Sequence, residues 1–208
     1  MLGGPLRGII KKQEVYMFFC IAALLEDDIQ NEIRRHVNKI NRENNVSVKA
    51  SLLPQHISLK ISFNTDRIEK LEQYFDNIEI ENEIFIESNG IELLEQPENG
   101  NNSGLIWINI NENKELRNLH NKLNNDLPKI LDISNSWIDG DYFRFHSTII
   151  MGNRNYEEYQ IIYKSFLTDY KDFKTQIKKI ALLCSHENKI TPGTFYQYKV
   201  KHLTTAST

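Results

Sequence analysis

His56-Ile57-Ser58-Leu59 is echoed later in the chain by His146-Ser147-Thr148-Ile149, each a histidine, one arbitrary residue, a hydroxyl residue and an apolar residue. One such pattern is weak, because alternation in any half-polar strand generates it by chance. Repetition of the surroundings makes it specific. Upstream of His56, the apolar run Tyr16 to Leu25 reads as a fully buried strand. A helix follows, with Ile29, Ile33, Val37 and Ile40 at helical spacing and Asp27-Asp28 at its start, where the helix dipole favours negative charge. Downstream come a helix capped by Asn64 or Thr65, with Ile68, Leu71 and Phe75 on one face, and a strand at Ile84-Phe85-Ile86.

The second half runs in the same order. A strand at Leu105-Ile106-Trp107-Ile108 precedes a helix bearing Leu116, Leu119, Leu123 and Leu127. After the His146 strand come a helix with Tyr159, Ile162 and Phe166, a strand at Ile180 to Cys184, and a last strand over Phe195 to Val200. Strand, helix, histidine strand, helix, strand written twice predicts two similar lobes. Glu95 to Gly104, rich in Asn, Gly, Glu and Pro, has the composition of a surface turn or linker and is taken as the boundary. The expected organisation is a tail over 1–14 and a single bilobal domain over 15–208, with lobes of about 15–100 and 104–208.

A net charge of −3 and a pI near 6.1 exclude a global basic field that would hold long nucleic acid by phosphate neutralisation. Any nucleic-acid substrate must be gripped locally. Lys60 and Arg144 stand near the histidines for that purpose, whereas Arg67 and Arg154 read as solvated surface charges. Cys20 and Cys184 both fall in apolar strands, which argues for small core hydrophobes in a reducing, cytoplasmic setting and against a disulfide framework. The run before Leu25 is too short for a membrane helix and is followed by Glu26-Asp27-Asp28 rather than a cleavage site.

Side chains alternate faces along a strand, so His56, Ser58 and Lys60 share one face, while Ile57, Leu59, Ile61 and Phe63 point into the core. Arg144, His146 and Thr148 share a face in the same way, opposite Phe145, Ser147, Ile149 and Met151. If the lobes pack about a two-fold axis, the two imidazoles meet across a cleft. Two groups titrating near neutrality suit a reaction that takes one proton and delivers another on opposite sides of a reacting centre. Phosphodiester cleavage has that requirement, and Ser58, Thr148, Lys60 and Arg144 are placed to hold the non-bridging oxygens. The scheme demands no metal and no other cofactor, and no third ligand stands at metal-binding spacing beside either motif.

The paired motif resembles that of the two-histidine (2H) phosphoesterase superfamily, over roughly Val15 to Leu203 in the order of elements. The resemblance implies an α+β fold, bilobal, with an antiparallel sheet and flanking helices in each of two pseudo-symmetric lobes around a central cleft. It also implies metal-independent chemistry on 2′,3′-cyclic or 2′-5′ phosphodiesters, as in the cyclic phosphodiesterase and 2′-5′ RNA ligase-like branch. His56 and His146 fall on the family's catalytic positions, and Ser58 and Thr148 on its phosphate-binding hydroxyls. Lys60 and Arg144 are not motif positions.

Among aromatic residues, Trp137, Tyr142 and Phe143 precede the second motif and are candidates to stack a base, with Tyr142 preferred because it has the parity of His146. Trp107 and Phe19 read as core. His36 and His120 read as solvated, and His186 and His202 lack a hydroxyl partner at the right spacing. Three functions fit. The first is a phosphodiesterase acting on RNA ends or nucleotides, with reverse 2′-5′ ligation as its microscopic reversal. The second is a hydrolase of a small cyclic or 2′-5′-linked signalling nucleotide. The third is a nucleotide-binding module without turnover.

Overall fold

The computed structural model describes residues 17–45, 52–98, 101–186 and 194–205, so the expected tail over 1–14 lies outside the described residues. The elements run β1 (Phe18–Leu24), α1 (Asp27–Asn44), β2 (His56–Asn64), α2 (Ile68–Asp76), β3 (Ile84–Glu98), β4 (Asn101–Ile110) and α3 (Lys114–Leu131). A 3-10 turn (Trp137–Asp139) then leads to β5 (His146–Asn155), α4 (Tyr156–Asp169), β6 (Lys174–Ile177), β7 (Lys179–Ser185) and β8 (Tyr196–His202).

Two four-stranded antiparallel sheets form, in the orders β2-β1-β7-β8 and β5-β4-β3-β6, so the α+β, two-lobed expectation holds. The lobe boundaries do not. The second half gives β7 and β8 to the first sheet, and the first half gives β3 to the second. The stretch read as a linker is the end of a long hairpin, with Glu95 opposite Gly104 and Glu98 opposite Asn101. Its turn-forming composition is real, but it turns a strand back on its neighbour instead of separating two bodies.

Local chemistry explains the helices. α1 buries Gln30, Ile33, Val37 and Ile40 and ends at Asn45, whose left-handed φ of 49° closes the helix. α3 starts at Asn113, whose side chain accepts from the Leu116 amide at 2.8 Å, and α4 starts with a capping box of Asn155 and Glu158. The cap expected for α2 at Asn64 or Thr65 is displaced: α2 begins at Ile68 without a side-chain cap, and Thr65 Oγ1 accepts from the Arg67 amide at 3.1 Å. Phe19, Ile21, Ile57, Leu59, Ile106, Ile108, Leu123, Phe166 and Leu182 belong to one core that spans both sheets. Cys20 and Cys184 are free and buried. Among the described residues no helix is long and apolar enough to cross a membrane.

Gly104 is required by close approach. A Cβ built there would lie 2.3 Å from Cγ of Tyr159, the buried residue by which α4 packs over β4. Gly104→Ala should therefore destabilise the protein by about 1–3 kcal/mol in urea denaturation, the usual range for overpacking.

Candidate active site

His56 and His146 are each the first residue of their strand, β2 and β5, and each is half-buried. His56 Nδ1 lies 2.8 Å from the carbonyl of Pro54, and His146 Nδ1 lies 2.8 Å from that of Arg144. A carbonyl can only accept, so both rings carry their proton on Nδ1 when neutral. Nε2 is left as the basic nitrogen in both.

β2 and β5 are the edge strands at which the two sheets meet, side by side. Beside each histidine is a residue that ties these strands together: Ser147 Oγ donates to Gln55 Oε1 at 3.1 Å, with both residues buried. The Gln55 amide in turn donates to Gln30 of α1 at 3.2 Å, and Gln30 donates to the Leu25 carbonyl at 2.7 Å. Burial holds the pKa of His56 below its ordinary value, partly opposed by the Pro54 hydrogen bond. Burial likewise depresses His146; the bond to Arg144 opposes this, the charges of His56 and Arg144 add to it, and Glu92 opposes it. The Ser147–Gln55 hydrogen bond joins the residues adjacent to His146 and His56 and so brings the two histidines to the same part of the seam.

Ser58 and Thr148 are half-buried, opposite Ala22 of β1 and Trp107 of β4 respectively. Cys20 Sγ donates to Ser58 Oγ at 3.7 Å. Burial pushes the Cys20 thiol up to about 11, so it keeps its proton and remains a donor.

Lys60 is not a substrate contact. It is 1% exposed and forms a buried ion pair with Asp139 of the 3-10 turn, and its ammonium also donates to Asn135 at 2.9 Å. Simple alternation fails here because Ser58 lies opposite Ala22 but Lys60 lies opposite Ile21, so the ladder skips Leu59 at a bulge. Arg144 and Tyr142 precede β5, but the alternation expected for them continues through this stretch, with Tyr142 and Arg144 exposed and Phe143 and Phe145 buried. Arg144 is exposed, pairs with Glu92 and lies over the Trp107 ring at 5.2 Å. Tyr142 is 96% exposed and Trp137 90%, whereas Phe143 is buried against His120. His120 is itself fully buried, within 3.2 Å of the Asp139 carbonyl, where a solvated residue was expected.

Trp107 is the main site residue that the sequence reading missed. Its ring stacks on His146 with centroids 4.0 Å apart. The signal was present: Ile106, Ile108 and Ile110 alternate with Trp107 and Asn109, which puts the latter two on the face opposite the core. Glu92 lies opposite Trp107 on β3 and was missed because only the first three residues of that strand were recognised. Among the described residues no group of three or more His, Cys, Asp or Glu side chains is arranged to hold a metal ion.

With the paired histidine strands at the junction of two antiparallel sheets, the comparisons with known proteins agree. The model of the 2′-5′ RNA ligase superfamily matches residues 25–189, and the chain belongs to that superfamily, whose members are 2H phosphoesterases. Solved structures share the fold. The TT0787 protein of Thermus thermophilus is 12% identical with a TM-score of 0.54, covering 89% of this chain and 97% of that one. Escherichia coli LigT complexed with 3′-AMP is 13% identical with a TM-score of 0.53, covering 91% and 99%. LigT in apo form is also 13% identical, with a TM-score of 0.51, covering 91% and 98%. No curated protein matches the chain by sequence.

The buried ion pair yields a stability test. Lys60→Ala leaves Asp139 buried without its cation and should cost about 3–5 kcal/mol in urea denaturation. Arg144→Ala, which breaks an exposed pair, should cost no more than about 1 kcal/mol.

Proposed function

We propose that the chain is a metal-independent phosphodiesterase that acts on 2′,3′-cyclic or 2′-5′ phosphodiester bonds of nucleotides or short RNA ends. The observation that carries this reading is the matched pair of imidazoles, each fixed through Nδ1 to the carbonyl two residues before it, with Nε2 left to move a proton. One Nε2 takes the proton of the attacking water. The other, protonated, delivers its proton to the leaving ribose oxygen as the phosphorus–oxygen bond breaks. Ser58 and Thr148 donate to the non-bridging oxygens. Because Cys20 fills a lone pair of Ser58, that hydroxyl's own proton is directed outward to an acceptor.

The substrate class follows from charge. With a net charge of −3, the chain lacks the field to hold a long polyanion, which favours a nucleotide or a short end. LigT in its complex with 3′-AMP supports a nucleoside phosphate as the first ligand to try.

Both histidine pKa values lie below the ordinary 6.5, so both rings are neutral near pH 7 and the productive form, with one protonated, is the minority. The profile of kcat/KM should therefore be a bell centred below about pH 6.5. A bound phosphate, being anionic, raises both pKa values, and the kcat profile should be displaced to higher pH. The experiment is turnover of a panel: 2′,3′-cyclic AMP, a 2′-5′-linked dinucleotide, its 3′-5′ isomer and a short RNA with a cyclic phosphate end. His56→Ala and His146→Ala should each lower turnover by about 10²–10⁴-fold, and excess chelator should change it little. Binding without turnover of any of the four would favour a nucleotide-binding module instead. A chelator-sensitive activity, or one that survives loss of either histidine, would refute the mechanism.

A further inference from the structure

We propose that Trp107 is a positioning residue for His146: its indole fixes the plane of the imidazole, and the Arg144 carbonyl then selects one of the two ring orientations that the plane permits. The inference rests on the paired-histidine reading and adds a residue outside either motif.

The geometry is specific. The two rings are stacked with centroids 4.0 Å apart and planes 29° apart. Rotation of the imidazole about its bond to Cβ would drive its edge into the indole face, so the stack leaves two orientations related by a half-turn. Only one of these places Nδ1 against the Arg144 carbonyl at 2.8 Å. Stack and hydrogen bond together leave a single ring position, with Nε2 in one place. Among the described residues no aromatic ring stacks on His56, so its ring depends on the Pro54 bond and the packing around it.

The indole is fixed in turn. Its Nε1–H is shared between Asn109 Oδ1 at 3.0 Å and Glu92 Oε2 at 3.3 Å. Glu92 is held by Arg144, whose guanidinium also donates to Asn109 at 3.3 Å and lies 5.2 Å from the indole centroid. Glu92, Trp107 and Thr148 stand opposite one another across β3, β4 and β5, so the support is part of the sheet itself. The charged groups bearing on His146 are Glu92 from β3, Arg144 just ahead of its own strand and His56 from β2. Trp107 is only half-buried, so replacing it does not empty a core site.

The test compares Trp107→Phe, which keeps an aromatic face, with Trp107→Leu, which keeps apolar bulk without one. The first readout is nitrogen NMR of the free protein, with His56 as internal control; it needs no substrate. The wild type should show His146 in the Nδ1–H form. Trp107→Leu should show a mixture of the two tautomers at His146 with His56 unchanged, and Trp107→Phe should restore most of the Nδ1–H form. The second readout is turnover on the best substrate: Trp107→Leu should lower kcat by about 10–100-fold with KM nearly unchanged, and Trp107→Phe by much less. A His146 tautomer that stays pure in Trp107→Leu would overturn the proposal, as would equal losses in both variants accompanied by equal loss of thermal stability. If no phosphodiester is turned over but the tautomer shifts as described, the positioning role stands and the phosphodiesterase reading falls.

Discussion

The two sheets meet at strands that do not pair with each other, and the rest of the site depends on how that seam is closed. An edge strand presents backbone groups with no ladder partner, and buried ones must be satisfied from elsewhere. At β2 the work falls to side chains from outside the sheet. Asn124 of α3 donates to the Leu59 carbonyl at 3.0 Å, and the Ile61 amide reaches Asp139 at 3.4 Å. Ser147 and Gln55 then cross from one strand to the other. The spacing between His56 and His146 is therefore set by amides and a carboxylate outside the motifs and by the hydroxyl of Ser147, the arbitrary position of the second motif.

Pro128 contributes indirectly. Within α3 it has no amide hydrogen to give to the Asn124 carbonyl one turn earlier. That carbonyl accepts instead from Asn135 at 2.8 Å, and the same Asn135 side chain accepts from Lys60. A defect in the helix ladder thus anchors the loop that carries Asp139 against β2. Each partner explains the next: the proline frees an acceptor, the asparagine takes it, and the lysine is held out of solvent.

Most of this fold is legible from periodicity. The apolar run of β1, the helical spacing of Ile33, Val37 and Ile40, and the duplicated histidine pattern all fall where the structure puts them. The misses share a cause. Lys60, His120 and Gln55 are polar residues whose burial is decided by partners distant in sequence, such as Asp139 lying 79 positions from Lys60. Alternation tells which face a residue takes and not what waits there. The exchange of strands between halves was hidden for another reason: β7 is equally apolar whichever sheet accepts it, and pairing choice is written in neither composition nor spacing.

That exchange bears on how the chain is made. β1 lies between β2 and β7, so one long edge of this apolar strand has no partner until Lys179–Ser185 has been synthesised. A nascent chain that has passed β2 holds an unfinished pair of strands for most of its remaining translation, the kind of open edge that recruits other chains. A transcript broken before β7 accordingly encodes a product that cannot close its first sheet.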